Sequence, residues 1–272
     1  MAGHWALPDI PWRDFDPARV DPEILRVVQA AALVEANAAD YVTYLHNIFA
    51  ADPGMCAAID VWGREEAQHG AALGRWAELA DPGFRFAARL AQFQAGYRIP
   101  VDATASVRGS RSGEMIARCV VECGTSSFYR AIRDATREPV LRRICGLIAA
   151  DEFRHYKLFL NGYRRYGAME PLTLPRRIRI ALGRILEADD DELAFAWHCG
   201  TADEAPYDRR RAARAYALRA GRLYRYGHVA HALAMVLKAC GMRPRGRWVD
   251  PLCRLAWSLL RARTTYLGWV GA

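Results

Sequence analysis

Two Glu-x-x-His motifs constrain this chain more than any other feature: Glu66-Ala67-Gln68-His69 and Glu152-Phe153-Arg154-His155. A further glutamate stands 31 residues before the first, at Glu35, and 30 residues before the second, at Glu122. Residues three apart on a helix share a face, so each Glu–His pair can present two ligands to one place. Four carboxylates and two imidazoles in the order E, ExxH, E, ExxH match the ligand set of a two-metal centre in the core of a four-helix bundle. Carboxylate oxygens offset the charge of two hard cations, and each imidazole adds a neutral ligand. Without cations, four glutamates at one level of an apolar core would be strongly unfavourable. Either they face outward or they bind something.

The punctuation of the chain supports helices at these places. Asp21-Pro22 and Asp52-Pro53 read as an N-cap followed by a first-turn proline, opening helices over about 22–50 and 53–79. A third helix is predicted over about 112–136, and Glu138-Pro139 opens a fourth that ends at Gly167. No alternating strand pattern is present, so the chain reads as all-α. Short turns join helices one to two and three to four, whereas 80–111, with Pro82, Pro100 and Gly109, forms a long link. Two helical hairpins joined by a long crossover define a ferritin-like four-helix bundle. The helix midpoints fall near residues 36, 66, 124 and 152, which puts the four glutamates in one layer. Residues 1–20 read as an arm, 21–167 as the bundle, and 168–272 as a helical extension with helices near 173–187, 190–201, 206–240 and 248–268.

At this point the residues resemble a known family. Trp62-Gly63-Arg64-Glu65-Glu66-Ala67-Gln68-His69-Gly70 is similar to the W-x-x-E-E-x-x-H-G segment of the soluble acyl-carrier-protein desaturases. Ala150-Asp151-Glu152-Phe153-Arg154-His155 is similar to their A-D-E-x-R-H segment, and Glu122-Cys123-Gly124-Thr125 to their E-x-x-T. The resemblance covers about residues 22–166. It implies that Glu35, Glu66, His69, Glu122, Glu152 and His155 are metal ligands, that Asp151 hydrogen-bonds a ligand histidine, and that Thr125 lies on the oxygen-binding side. Its implied cofactor is a pair of iron ions, with manganese as an alternative. Glu35 and Glu152 are expected to be terminal ligands, and Glu66 and Glu122 bridging ones. The ligand spacings also resemble those of rubrerythrins, but Thr125 stands where those proteins carry an extra glutamate.

The expected activity is oxygen-dependent desaturation or hydroxylation of a hydrophobic or acyl-carrier-bound substrate. The alternatives are a ferroxidase or peroxide scavenger, an RNA-modifying hydroxylase, and a non-enzymatic helical interaction protein. The seven cysteines are scattered without a CxxC pair, so electrons are expected from a separate electron-transfer protein or reductant, and a cytoplasmic location is expected. No stretch is long and apolar enough for a transmembrane helix. Residues 1–167 carry 20 basic and 20 acidic side chains, and residues 168–272 carry 18 and 10, so the whole net charge of +8 lies in the extension. That extension points to an acidic partner, an anionic membrane surface or a solvated helix face, and its last helix also to a homodimer contact. Gly124 among Cys123, Ser126 and Ser127 reads as close helix packing in preference to a cavity. His228 and His231, His198, Cys199, Cys119, Cys123 and Trp62 read as packing residues, and His46 as a poor ligand.

Overall fold

The computed structural model describes residues 4–187, 191–201 and 206–270, and every regular element among them is helical. Three 3-10 turns within 7–19 form an amino-terminal arm. Then come α1 (Pro22–Ala36), α2 (Ala38–Phe49), α3 (Pro53–Ala80), α4 (Phe86–Gly96), α5 (Arg111–Ala135) and α6 (Pro139–Met169). The remaining helices are α7 (Leu174–Leu186), α8 (Asp191–Gly200), α9 (Arg209–Leu223), α10 (Tyr226–Ala239) and α11 (Val249–Val270).

The capping residues act as their sequence suggests. Asp21 accepts from the Glu23 and Ile24 amides, Asp52 from Met55, and Glu138 from Val140 and Leu141, while Pro22, Pro53 and Pro139 occupy the first turns. The long helices α5 and α6 pack along one another, α1 packs on α3, and α3 also meets α6. One core joins Val28, Leu33, Leu73 and Trp76 to Ile132, Ile144 and Ile148. Trp197 of α8 and Ala212 of α9 belong to that same core, so α8 and α9 cover α1, while α7 and α10 pack on α5 through Ala181 and Cys240 against Ile116 and Val120.

The structure departs from the expected helix boundaries at four places. The helix expected over 22–50 is two, broken at the buried Asn37, whose φ of −90° and ψ of 20° leave the helical path. The break serves two packing surfaces: α1 lies against Leu73 and Trp76, while α2 turns Leu45, Ile48 and Phe49 onto Ile59 and Trp62. The 80–111 link contains α4, anchored by Phe93, which is buried against Tyr97 and Phe195. The helix expected over 206–240 divides at Tyr224 and Arg225 into α9 and α10. The fourth long helix passes through Gly167 and ends two residues later.

Two glycines near the future site behave oppositely. A Cβ at Gly70 would fall 2.5 Å from the Ala36 backbone nitrogen, so only glycine lets α3 approach α1 here. A Cβ at Gly124 would meet nothing within 4 Å, which overturns the close-packing reading of this position. Gly124→Ala is therefore expected to stabilise the chain by roughly 0.5–1 kcal/mol through helix propensity. Gly70→Ala is expected to destabilise it by about 2 kcal/mol or more through overpacking. Thermal or urea unfolding of the two variants checks both signs.

Candidate metal centre

Glu35 lies near the end of α1, Glu66 and His69 in the middle of α3, Glu122 in α5, and Glu152 and His155 in α6. All six are buried, with exposures between 0% and 7%. Their side chains meet in two overlapping groups: Glu35, Glu66, His69 and Glu152, and Glu66, Glu122, Glu152 and His155. Within each group one donor atom per residue lies within 4.8 Å of all the others. Glu66 and Glu152 belong to both. Glu152 is thus common to both groups, whereas Glu122 belongs to one. The shared pair comes from the two ExxH motifs, and the one-sided pair from the two preceding glutamates.

The two imidazoles turn Nδ1 toward the cluster and Nε2 away from it. His69 Nδ1 is 3.1 Å from Glu152 and 3.5 Å from Glu35. His155 Nδ1 is 3.0 Å from Glu66 and 3.7 Å from both Glu122 and Glu152. On the far side His69 Nε2 is 3.1 Å from Asp151, the contact implied by the resemblance. His155 Nε2 makes the equivalent contact with Glu65 at 2.7 Å. A carboxylate behind a ligand imidazole fixes its tautomer and aim. Glu65 was not singled out from sequence, although it precedes Glu66 just as Asp151 precedes Glu152. Each support therefore sits beside the motif glutamate of one helix and serves the histidine of the other.

Further partners immobilise the carboxylates. Tyr129 donates to Glu35 at 2.5 Å, and Thr125 Oγ1 donates to Glu152 Oε2 at 2.8 Å. Trp5 of the arm is buried and donates Nε1 to Asp151 at 2.7 Å, while Arg154 bridges Asp151 and Glu65. Neither Trp5 nor the role of Tyr129 carries a local motif; both depend on the folded path of the chain.

The bonding left undone is the most telling feature. Glu35 Oε2, Glu66 Oε1, Glu122 Oε1, Glu152 Oε1 and both histidine Nδ1 atoms are buried without a hydrogen-bond partner. Single orphaned atoms also occur outside the cluster, at Asn37 Nδ2, Trp62 Nε1 and Ser112 Oγ, but these six belong to residues that meet. Glu138 is equally buried, yet its carboxylate accepts from Trp76 Nε1 and from the Asp16, Val140 and Leu141 amides. Buried polar atoms are ordinarily paired, so six orphans spread over two overlapping groups fit a cation-binding cage.

The electrostatics agree. Burial, reinforced by the charges of Glu152 and Glu35, raises the Glu66 carboxyl well above its usual range. Burial and the Glu152 charge push Glu122 up to about 8. Burial opposes the charge on Glu152 too, but the close approach of the His155 and His69 imidazoles outweighs it and holds this carboxyl well below its usual range. Burial likewise opposes protonation of both imidazoles, yet their carboxylate partners raise them well above the ordinary value. Protons thus offset the excess negative charge of this cluster, and bound cations would displace them.

The lesser candidates are packing residues. His228 pairs with Asp134 at 3.0 Å and accepts from the Arg225 amide, and His231 packs on Phe153. His46 pairs with Asp60 at 2.8 Å. Trp62 packs edge-on against Phe159, His198 packs between Phe195 and Tyr207, and Cys119, Cys123 and Cys199 are buried free thiols. No helix among the described residues is long and apolar enough to cross a membrane. No protein-family model matches this chain, and a comparison with curated proteins finds no match.

Proposed function

We propose that α1, α3, α5 and α6 form a ferritin-like bundle around a di-iron centre, and that the protein is an oxygen-activating oxidoreductase. The observation that carries this reading is the set of six orphaned donor atoms, one on each of the residues Glu35, Glu66, His69, Glu122, Glu152 and His155. Glu66 and Glu152 would bridge, Glu35 and His69 would complete one coordination sphere, and Glu122 and His155 the other. Carboxylate-rich donor sets take iron or manganese, and iron is the occupant we favour for oxygen chemistry. Two bound iron ions would supply the electrons for dioxygen reduction, replenished by a separate electron-transfer protein.

The chain's own residues prepare that chemistry. Asp151 and Glu65 keep the Nδ1 lone pairs of the histidines aimed inward. Tyr129 holds Glu35 from behind. Thr125 Oγ1 is placed to hold a proton against Glu152. Thr125 is itself half-buried. The substrate class that fits the desaturase-like motifs is a hydrophobic or carrier-bound chain. A second reading is peroxide scavenging or ferrous-iron oxidation. A cavity of about 270 Å³ lined by Trp5, Glu65 and Asp151 lies behind the histidines, on a scale suited to small molecules.

Protein expressed with ample iron is expected to contain two irons per chain and to change its absorption when reduced and re-exposed to air. A chain that stays metal-free after anaerobic reconstitution would overturn the proposal. Two manganese ions without an oxygen response would keep the centre and remove the oxidase assignment. Turnover with peroxide or ferrous iron alone would favour the second reading.

A further inference from the structure

Positive charge and exposed apolar side chains coincide at the carboxyl-terminal end of the molecule. Residues 209–272 carry 14 lysine or arginine side chains against a single acidic one, Asp250. Residues 168–208 carry 4 basic and 9 acidic side chains, so the excess assigned to the whole extension belongs to its last part. There α11 carries two apolar stripes. The inner one, Cys253, Trp257, Leu260, Thr264 and Leu267, is buried or half-buried where α11 meets α9 and α10. It accounts for the attachment of the helix; at Gly221 of α9 an added Cβ would lie 2.5 Å from Thr264.

The outer stripe is offset by two residues and faces away. Leu255 is 56% exposed, Leu259 62%, Tyr266 63% and Trp269 82%. Arg254 and Arg261 flank it, both exposed; Arg254 pairs with Asp250 on its own helix, and Arg261 lies over Trp257. The loop before the helix adds exposed Arg243, Arg245 and Arg247.

We infer that α11 docks this outer face on an anionic lipid bilayer. An interfacial helix of this kind seats leucine and tryptophan at the headgroup boundary while arginines engage lipid phosphate. The charge excludes a second copy of the chain as the better occupant, because pairing two such faces would bring like charges together. Nucleic acid would use the arginines but leave Leu255 and Leu259 without a role. The stripe runs for about 21 Å along the exposed face of a single helix, a convex shape that sinks into a soft surface.

The test uses the full chain and vesicles of phosphatidylcholine with or without phosphatidylserine, at low and high salt. Binding is expected to be about tenfold or more tighter to the anionic vesicles and to weaken as salt screens the arginines. Leu259→Ser with Trp269→Ser is expected to weaken binding by about tenfold or more. Arg254→Gln with Arg261→Gln is expected to reduce the preference for phosphatidylserine. Circular dichroism and metal content should match the parent chain in both variants, because all four side chains are exposed and none belongs to the metal cluster.

Failure to bind anionic vesicles at low salt overturns the inference, as does undiminished binding by the Leu259/Trp269 variant. A dimer that this variant converts to monomer would assign the face to self-association instead. Salt-sensitive binding of single-stranded RNA in preference to vesicles would assign it to nucleic acid. None of these outcomes bears on the metal centre.

Discussion

Glu152→Ala is expected to leave the protein with no bound metal at all, whereas Glu35→Ala should impair one of two positions. The difference follows from the overlap of the two donor groups, in which Glu152 is common to both and Glu35 belongs to one. Glu152 is also the carboxylate that faces both histidines and receives the Thr125 hydroxyl. Its loss removes a carboxylate from both donor groups and one counter-charge from each imidazole, beside Asp151 at His69 and Glu122 at His155. Metal analysis after reconstitution, with helicity followed by circular dichroism, distinguishes the variants. Two ions per chain in Glu152→Ala would contradict the ligand assignment, and equal loss in both variants would contradict the asymmetry of roles.

Glu122→Gln is expected to do two things that a purely structural glutamate would not do together: weaken metal loading and stabilise the metal-free fold. Burial and the Glu152 charge hold the folded carboxyl up to about 8. The unfolded chain releases the same proton near pH 4.3. Folding is therefore opposed progressively as pH rises across that interval, with most of the cost present at neutral pH and the rest added as pH passes about 8. Glutamine keeps the shape and removes the charge, so the metal-free variant should gain on the order of 2 kcal/mol at neutral pH, roughly 5 °C in midpoint for a chain of this size. At pH 4 the gain should nearly vanish, because the folded carboxyl is then protonated and most of the unfolded one is too. With iron present the order should reverse, since bound metal stabilises the parent by mass action and the variant less. Lower stability of the metal-free variant at neutral pH would mean that Glu122 acts as a hydrogen-bonded structural residue like Glu138.

The contrast between Glu138 and Glu122 also shows where sequence reading reaches its limit. The helices that carry the cluster were legible, because Asp21, Asp52 and Glu138 cap them with a proline following each. The glutamates and histidines were legible because their spacing repeats. Which carboxylates the two groups share was not, since spacing along a helix does not say which of four lies between the others. Asn37 gave no breaker signal within EANAAD, because the turn there is imposed by two separate packing surfaces on α3. Glu65 had a signal in its repeat of the Asp151 position, but its function depends on α6 lying opposite. Trp5 reaches Asp151 across 146 residues of sequence, a contact that only the fold creates.

The crossed support of the histidines has a mechanical meaning. Asp151 on α6 holds a ring carried by α3, and Glu65 on α3 holds a ring carried by α6. A slide of one helix along the other by a single residue, about 1.5 Å, would stretch both contacts at once. Neither could be kept by a side-chain adjustment that leaves the other intact. The pair therefore works as a two-point gauge of axial alignment, and a core that tolerated sliding between apolar side chains would still be pinned here to one register.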